Sequence, residues 1–275
     1  MIPQRNISRL AVKLSMSGGR FIPESVIERD YCLAWFLVGM SQAEISKKLV
    51  FKGGTALKRC YFSEYRFSED LDFTLIQDVD FEIIRNELEN VFKIVKQQSA
   101  IVFSFDRADR VTHRNSYTFF LSYEGPLPGA GKQVKVDITR AEKIVFPLTE
   151  RAVLKGYEEY SDLPENQTVL TYSIGEIAAE KLVAMADPAR NEPRDLFDIW
   201  YLAEHQLLEL PILLPAVHDK MTFRNKTDLN FTALIREKEA KYRKLWKIRL
   251  SNQMAELPEF EGVWRTVGKI LRKMV

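Results

Sequence analysis

Two carboxylates separated by one residue are the strongest chemical signal in the sequence. Asp70 and Asp72 lie in the segment SEDLDFTL, whose alternation is typical of a β-strand. Because strand residues i and i+2 point to the same side, the two carboxylates are expected to project together. Adjacent carboxylates repel each other unless a cation lies between them, and such oxygen ligands suit Mg²⁺. The pair therefore predicts a divalent metal site.

A glycine-rich turn shortly before this pair predicts a phosphate site. Gly53, Gly54 and Thr55 lead into a predicted helix, whose free backbone N–H groups and threonine hydroxyl can bind a phosphate. Arg66 and Ser68, between the turn and the carboxylates, could reach the phosphates or brace the loop. The alternatives are an ordinary tight turn and a surface arginine.

A third carboxylate is carried by a later predicted strand, in the segment QVKVDITR. In that strand Lys135, Asp137 and Thr139 share one face and apolar side chains share the other. If this strand neighbours the one with the carboxylate pair, Asp137 completes a three-carboxylate site. A solvent-facing strand residue is the alternative interpretation.

The elements that must position these residues alternate between helices and strands. Periodicity predicts helices at 23–48, 55–62, 80–98, 174–186 and from Pro193, and strands at 49–51, 101–105, 117–123, 134–138 and 168–172. The remainder of 144–172 is predicted to be a connection, and the C-terminal part to be helical in pieces broken at Pro211, Pro215 and Pro258. Two domains are predicted, 1–165 and 166–275, the second helical and containing a basic segment.

Composition narrows the functional class. The 275 residues are 46% hydrophobic and 28% charged, which is ordinary for a globular protein. Cys32 and Cys60 lack metal-ligand spacing, and His113, His205 and His218 lack the spacing of a zinc site or catalytic triad. The absence of a visible export signal and of a long apolar run predicts a cytoplasmic protein with no membrane partner.

Charge is distributed unevenly along the chain. Residues 220–275 contain 14 Lys and Arg against 6 Asp and Glu, a net charge of +8, whereas the whole chain carries +2. This asymmetry indicates a polyanionic partner, and a helix with solvated charges is the alternative. Tyr242, Trp246 and Trp264 lie among the basic residues, where they could stack on bases or pack in the core.

The motifs together resemble a known family. The chain contains in order GGTAL, R-x-S-x-D-L-D-F, a lysine-bearing helix and PRDLFDIWYL. This series resembles the nucleotidyltransferases of the AbiEii/AbiGii toxin family, which are type IV, MenT-like toxins. That family belongs to the DNA polymerase β-like nucleotidyltransferase superfamily. The resemblance covers about residues 25–210 and includes the pattern K-x12-R-D-x-x-D, formed by Lys181, Arg194, Asp195 and Asp198. It implies an α/β (α+β) fold with a mixed-sheet nucleotidyltransferase core, followed by a helical C-terminal domain.

The resemblance also implies roles for the residues. Lys181 would neutralise triphosphate charge, although a lysine beside an apolar helix face can simply extend to solvent. Asp195 and Asp198 could fix a cation or contact the nucleotide, or compensate the helix dipole. The implied metal ligands are Asp70, Asp72 and Asp137; the implied catalytic residues are these three with Lys181 and Asp195; the implied nucleotide-binding residues are Gly53, Gly54, Thr55, Arg66, Ser68, Lys181, Arg194 and Asp198.

The implied activity is transfer of NMP from an NTP to the tRNA 3′ acceptor end, with Mg²⁺ or Mn²⁺ as cofactor. Such transfer would block aminoacylation and translation, and an antitoxin encoded nearby is the implied protein partner. Two alternatives remain open at this point. The same fold could transfer AMP or UMP to a protein hydroxyl, or the chain could be an inactive nucleotide- or RNA-binding module.

Overall fold

The computed structural model describes residues 1–16, 19–110, 114–226 and 231–273. The chain divides into two compact units, the first made of Met1–Ala141 with Leu148–Thr171 and the second of Glu142–Pro147 with Tyr172–Val275. The predicted boundary lay between residues 165 and 166, whereas the second unit starts at Tyr172 and also takes the short segment before Leu148. His113, which lacks the sequence spacing of a zinc ligand, lies outside the described residues.

A mixed sheet organises the first unit and in the described residues has seven strands. They are β1 (Leu49–Lys52), β2 (Leu71–Leu75), β3 (Val102–Ala108), β4 (Ser116–Glu124), β5 (Gln133–Thr139), β6 (Leu148–Ala152) and β7 (Thr168–Tyr172), in the spatial order β3-β4-β5-β2-β1-β7-β6. β2 is central, antiparallel to β1 and parallel to β5. The predicted strands are confirmed, but β6 was wrongly assigned to a connection because its sequence, LTERA, is largely polar.

Helices of the first unit support this sheet. They are α1 (Gln4–Met16), α2 (Glu24–Ser41), the short α3 (Gly53–Ala56) with a π-helical turn over Leu57–Tyr61, and α4 (Phe81–Ser99). α2 is buried along almost its whole length, and it ends at Ser41 rather than at the predicted residue 48. Arg59, fully buried after α3, donates to Asp30 of α2, which also accepts a hydrogen bond from Tyr160. This buried pair anchors the helical turn that follows the glycines.

The second unit is helical in its described part. Its helices are α5 (Ile174–Ala186), α6 (Pro193–Glu204), α7 (Leu210–Phe223), α8 (Phe231–Glu237), α9 (Glu239–Leu250) and α10 (Phe260–Arg272). α7 continues through Pro215, so the predicted break there is wrong. A proline removes one backbone donor and usually kinks a helix, but it does not oblige the helix to end.

A buried ionic cluster attaches residues 142–147 to these helices. The Lys220 ammonium lies 2.5 Å from Glu176 Oε1 and donates to the backbone oxygen of Lys143. The other oxygen of Glu176 accepts from the backbone N–H groups of Val145 and Phe146. The predicted helix start at Ser173 is confirmed, since its hydroxyl accepts from the Glu176 N–H. The segment before Leu148 therefore belongs to the second unit.

The mixed α/β fold predicted from the sequence is confirmed. The described residues contain no helix that is both long and apolar enough to span a bilayer.

Candidate active site

The predicted carboxylates lie at the centre of the sheet. Asp70 directly precedes β2 and Asp72 lies within it, and both are half-buried. In the parallel pairing of β2 with β5, Asp72 lies opposite Asp137. The prediction that these two strands are neighbours is confirmed. Side chains at paired positions of adjacent strands share one face of the sheet, so Asp72 and Asp137 project together.

Polar side chains of the neighbouring strands lie beside these carboxylates. Asp137 Oδ1 accepts from the hydroxyl of Thr118 on β4 at 2.5 Å. On the other side of the sheet centre, Lys52 of β1 pairs in register with Asp72, and its ammonium donates to the hydroxyl of Thr139 at 3.1 Å. Lys52 is buried. A polar patch thus extends over β1, β2 and β5 at the centre of the sheet.

Lys135 lies against the same carboxylates. It shares a face of β5 with Asp137, and its ammonium is 2.5 Å from Asp137 Oδ2. Burial alone would lower the pKa of Lys135, but the hydrogen bond that it donates to Asp137 and the charges of Asp137, Asp70 and Asp72 raise it above its ordinary value. A cation is therefore within electrostatic reach of all three carboxylates. Strand alternation in the sequence already placed Lys135 on the same face as Asp137, but no role was predicted for it.

The glycine turn approaches this patch closely. Gly53 has φ +78°, a conformation that favours glycine, and a Cβ added there would overlap the Asp72 carboxylate. A Cβ on Gly54 would lie 2.6 Å from Arg66 Nη2 and 3.3 Å from Ser68 Oγ. The fold thus places Gly53 against Asp72, and Gly54 against Arg66 and Ser68, as members of one predicted site. An ordinary tight turn would not require these close approaches.

Side chains near the turn are buried and largely engaged within the protein. Thr55 is fully buried, and its hydroxyl donates to the backbone oxygen of Asp70, which ties the turn to the start of β2. Arg66 and Ser68 are also buried, and Arg66 donates to the backbone oxygen of Phe67 at 3.3 Å. Their predicted contacts with phosphates remain predictions.

The second unit contains a separate buried cluster around Lys181. Its ammonium, on α5, forms ion pairs with Asp195, at 3.2 Å, and with Asp198, both on α6. Among the alternatives for the two acids, the structure shows that they fix Lys181. Burial alone would raise the pKa of Asp195, but the charges of Lys181 and Arg190 hold it below its ordinary value.

Two arginines border this cluster. Arg190, about half exposed, places Nε 2.7 Å from Asp195 Oδ2, a contact that was not predicted because Arg190 lies in the loop before α6. Arg194, which was predicted to bind nucleotide, pairs with Glu192 at 3.1 Å. Three residues of the pattern K-x12-R-D-x-x-D, namely Lys181, Asp195 and Asp198, therefore form a buried ionic cluster. Arg190, which is not part of the pattern, pairs with this cluster.

The basic segment combines a packed side with a charged side. Tyr242 and Trp246 of α9 are buried, which confirms the core interpretation for these two rings. The opposite side of α9 exposes a set of cations, Lys241, Arg243, Lys244, Lys247 and Arg249. Arg243 pairs with Glu239 and Glu261, whereas no ion pair among the described residues involves the other four.

The polar patch on the sheet presents carboxylate oxygens of the kind that a divalent metal takes as ligands. In the described part of the chain, no group of three His, Cys, Asp or Glu side chains is arranged to hold a metal ion as it stands. The donor chemistry nevertheless fits Mg²⁺ or Mn²⁺, which favour carboxylate oxygens. In addition, the Lys135 ammonium already lies against Asp137 as a stand-in cation.

Comparisons with known proteins agree with this fold. A family described as "Nucleotidyl transferase AbiEii toxin, Type IV TA system" matches residues 35–269. The solved structure of MenT4, a nucleotidyltransferase toxin from Mycobacterium tuberculosis H37Rv, is similar with a TM-score of 0.70 and 18% identity, over 100% of this chain and 90% of that one. JHP933 from Helicobacter pylori is similar with a TM-score of 0.59 and 19% identity, over 92% of this chain and 93% of the other.

These matches define the class of the protein as a nucleotidyltransferase. The chain belongs to the AbiEii toxin family of type IV toxin-antitoxin systems, as the resemblance of its motifs implied. Membership of such a system implies an antitoxin as partner. No curated protein sequence matches the chain.

Proposed function

We propose that this nucleotidyltransferase toxin depends on a divalent metal and transfers NMP from an NTP to the 3′ acceptor end of tRNA in the cytoplasm. The modified tRNA could no longer be aminoacylated, so translation would stop. The single observation that carries the catalytic part is the register of Asp72 with Asp137 beside the Gly53 turn. The exposed basic side of α9 supports an RNA acceptor.

The carboxylate patch supplies the ligands for the metal. Asp70, Asp72 and Asp137 would hold Mg²⁺ or Mn²⁺. When bound, the metal would neutralise charge on the triphosphate and on the departing pyrophosphate. Asp137, at the edge of the patch towards β4, is the carboxylate proposed to accept or position the proton of the attacking hydroxyl, while the hydrogen bond from Thr118 fixes its orientation.

The turn before α3 is proposed to hold the triphosphate. Without side chains, Gly53 and Gly54 let the backbone approach Asp72 and Arg66, so backbone N–H groups can face a phosphate next to the metal ligands. Arg66 would add positive charge, and Thr55 would keep the turn attached to β2. Bond formation to the α-phosphate then releases pyrophosphate, and positioning with charge neutralisation supplies most of the catalysis.

The second unit holds a lysine in a buried cluster of its own. Lys181 is held by Asp195 and Asp198, so its ammonium is fixed in one direction before substrate binds. Arg190 is more exposed and shares Asp195 with it. The proposal keeps the nucleotide-binding roles that the family resemblance implies for Lys181, Arg194 and Asp198, and the catalytic role that it implies for Lys181 and Asp195.

An RNA acceptor is favoured by the charge and exposure of α9. Lys241, Lys244, Lys247 and Arg249 are exposed and make no ion pair with a described residue, which is the arrangement expected of a surface that binds phosphates. With Tyr242 buried, contacts of this helix with RNA would be to the backbone rather than by base stacking. Transfer to a protein hydroxyl would not require such a surface.

The distribution of label between RNA and protein tests this proposal. The protein is incubated with Mg²⁺, each α-³²P-labelled NTP and a cell extract, and RNA and protein are then separated. We expect label in tRNA with at least one NTP and no label with Asp72→Asn. Label in protein but not in RNA would favour the protein-modifying alternative, and toxicity of Asp72→Asn equal to that of the parent would favour a binding module.

A further inference from the structure

The cation that already contacts the carboxylate patch belongs to the protein itself. Lys135 and Asp137 lie two residues apart on β5 and share a face, and their charged groups are 2.5 Å apart. The pairing of Leu71 with Val136 aligns Lys135 with the position of Asp70 on the neighbouring strand. Lys135 is thus in register with one proposed metal ligand and in contact with another.

A divalent ion and an ammonium compete for the same oxygen atoms. The contact of Lys135 with Asp137 Oδ2 occupies an oxygen that a metal held by the three carboxylates would need. Once the metal is bound, its two positive charges repel a lysine at this distance.

The two lysines of the patch differ in their freedom to move. The side chain of Lys135 is 40% exposed and that of Asp137 is 30% exposed, so this ammonium can turn into water. Lys52 is 8% exposed and donates to Thr139. A change in charge at the patch would therefore be accommodated by Lys135, while Lys52 keeps its place beside β2.

We propose that Lys135 occupies the carboxylate patch of the metal-free protein as an internal cation and is displaced when a divalent metal binds. Its removal would make the patch bind metal more tightly, because the metal would no longer compete with a resident charge. This inference rests on the proposed metal site. Through this competition, Lys135 would set the affinity of the site for the metal.

Binding of Mn²⁺ to the full-length protein without nucleotide tests the inference. Free Mn²⁺ is measured by electron paramagnetic resonance for the parent, Lys135→Met and Lys93→Met, an exposed lysine on α4 that serves as the matched charge control. Lys135→Met should bind Mn²⁺ at least about tenfold more tightly, since one positive charge beside the ion is removed. Lys93→Met should bind like the parent.

A second readout covers the case in which Lys135→Met does not fold. The reactivity of Lys135 in the parent toward an amine-modifying reagent, measured by mass spectrometry, should rise when Mn²⁺ is added, while that of Lys93 stays constant. Equal Mn²⁺ affinity in the parent and Lys135→Met, no Mn²⁺ binding by either, or unchanged reactivity of Lys135 would overturn the inference.

The outcome is separable from that of the proposed function. If RNA is labelled normally but Mn²⁺ affinity does not depend on Lys135, the inference fails and the proposed function stands. If Lys135→Met tightens Mn²⁺ binding but RNA is never labelled, the inference stands and the proposed acceptor is wrong.

Discussion

Substitution of Gly53 by alanine should inactivate the enzyme while leaving it folded. Gly53 has φ +78°, and alanine in this left-handed region costs about 1–2 kcal/mol. Gly131, in the loop between β4 and β5, has φ +77° and no heavy atom within 4 Å of an added Cβ. Gly131→Ala is therefore a control with the same backbone strain and no contact with the patch.

The two substitutions differ in what the new methyl group contacts. At position 53 the Cβ would overlap the Asp72 carboxylate and lie 3.1 Å from its Cγ, so Asp72 must move. A displacement of about 1 Å at a reacting centre costs on the order of 100-fold in rate. We expect both variants to lose about 1–2 kcal/mol in free energy of unfolding. Only Gly53→Ala should also lose rate of nucleotide transfer, by about 100-fold.

The assays are urea unfolding followed by circular dichroism and initial rates of NMP transfer to tRNA. Mn²⁺ binding by each variant reports whether the metal ligands have moved. If Gly53→Ala transferred nucleotides as fast as Gly131→Ala at equal stability, the close approach of the turn to Asp72 would have no catalytic role. The reasoning from the glycine geometry would then be refuted.

Three further variants test the buried lysines and the basic helix. Lys181→Met should cost about 3–5 kcal/mol in urea unfolding, because it removes the buried ammonium that pairs with Asp198 and leaves Asp195 its contact with Arg190. If Lys181→Met were as stable as the parent, or if an added Asp198→Asn restored none of the lost stability, this reasoning would be wrong. Burial lowers the pKa of Lys58 to about 7. Between pH 7 and its unfolded pKa of about 10.4 the unfolded chain therefore binds more protons, and the free energy of unfolding should rise with pH by up to about 5 kcal/mol. Lys58→Met should lack this rise while Lys93→Met keeps it, and parallel pH profiles would contradict the assignment. Replacing Lys244 and Lys247 by glutamine should weaken tRNA binding in fluorescence anisotropy and reduce the salt slope by about one per lost phosphate contact; an unchanged slope would exclude α9 from the interface.

Much of the fold could be predicted because local patterns determine it. The alternation in QVKVDITR and the short apolar run before Gly53 identified β5 and β1, and the Ser173 cap marked the start of α5. β6 was missed because its sequence is largely polar, and α7 was broken wrongly at Pro215. In both places tertiary packing overrode a local preference, which periodicity alone does not report.

The candidate site was predictable as residue types rather than as contacts. The parallel register that sets Asp72 beside Asp137 depends on long-range pairing, so the sequence could only raise it as a hypothesis. The contacts of Lys135 and Arg190 were missed for a similar reason, since a lysine or arginine on a polar face is usually solvated. Only the three-dimensional structure shows that Lys135 pairs with Asp137 and that Arg190 pairs with Asp195.

Sequencing of tRNA 3′ ends after incubation with the purified protein tests the proposed activity at its product. Total tRNA is incubated with Mg²⁺ and each of the four NTPs in turn, using the parent and Asp72→Asn. The account predicts extra nucleotides beyond the 3′-terminal adenosine with at least one NTP, only with the parent and only when a divalent metal is present. Unextended 3′ ends with all four NTPs would contradict it, provided that the same enzyme preparation transfers label to protein in a cell extract.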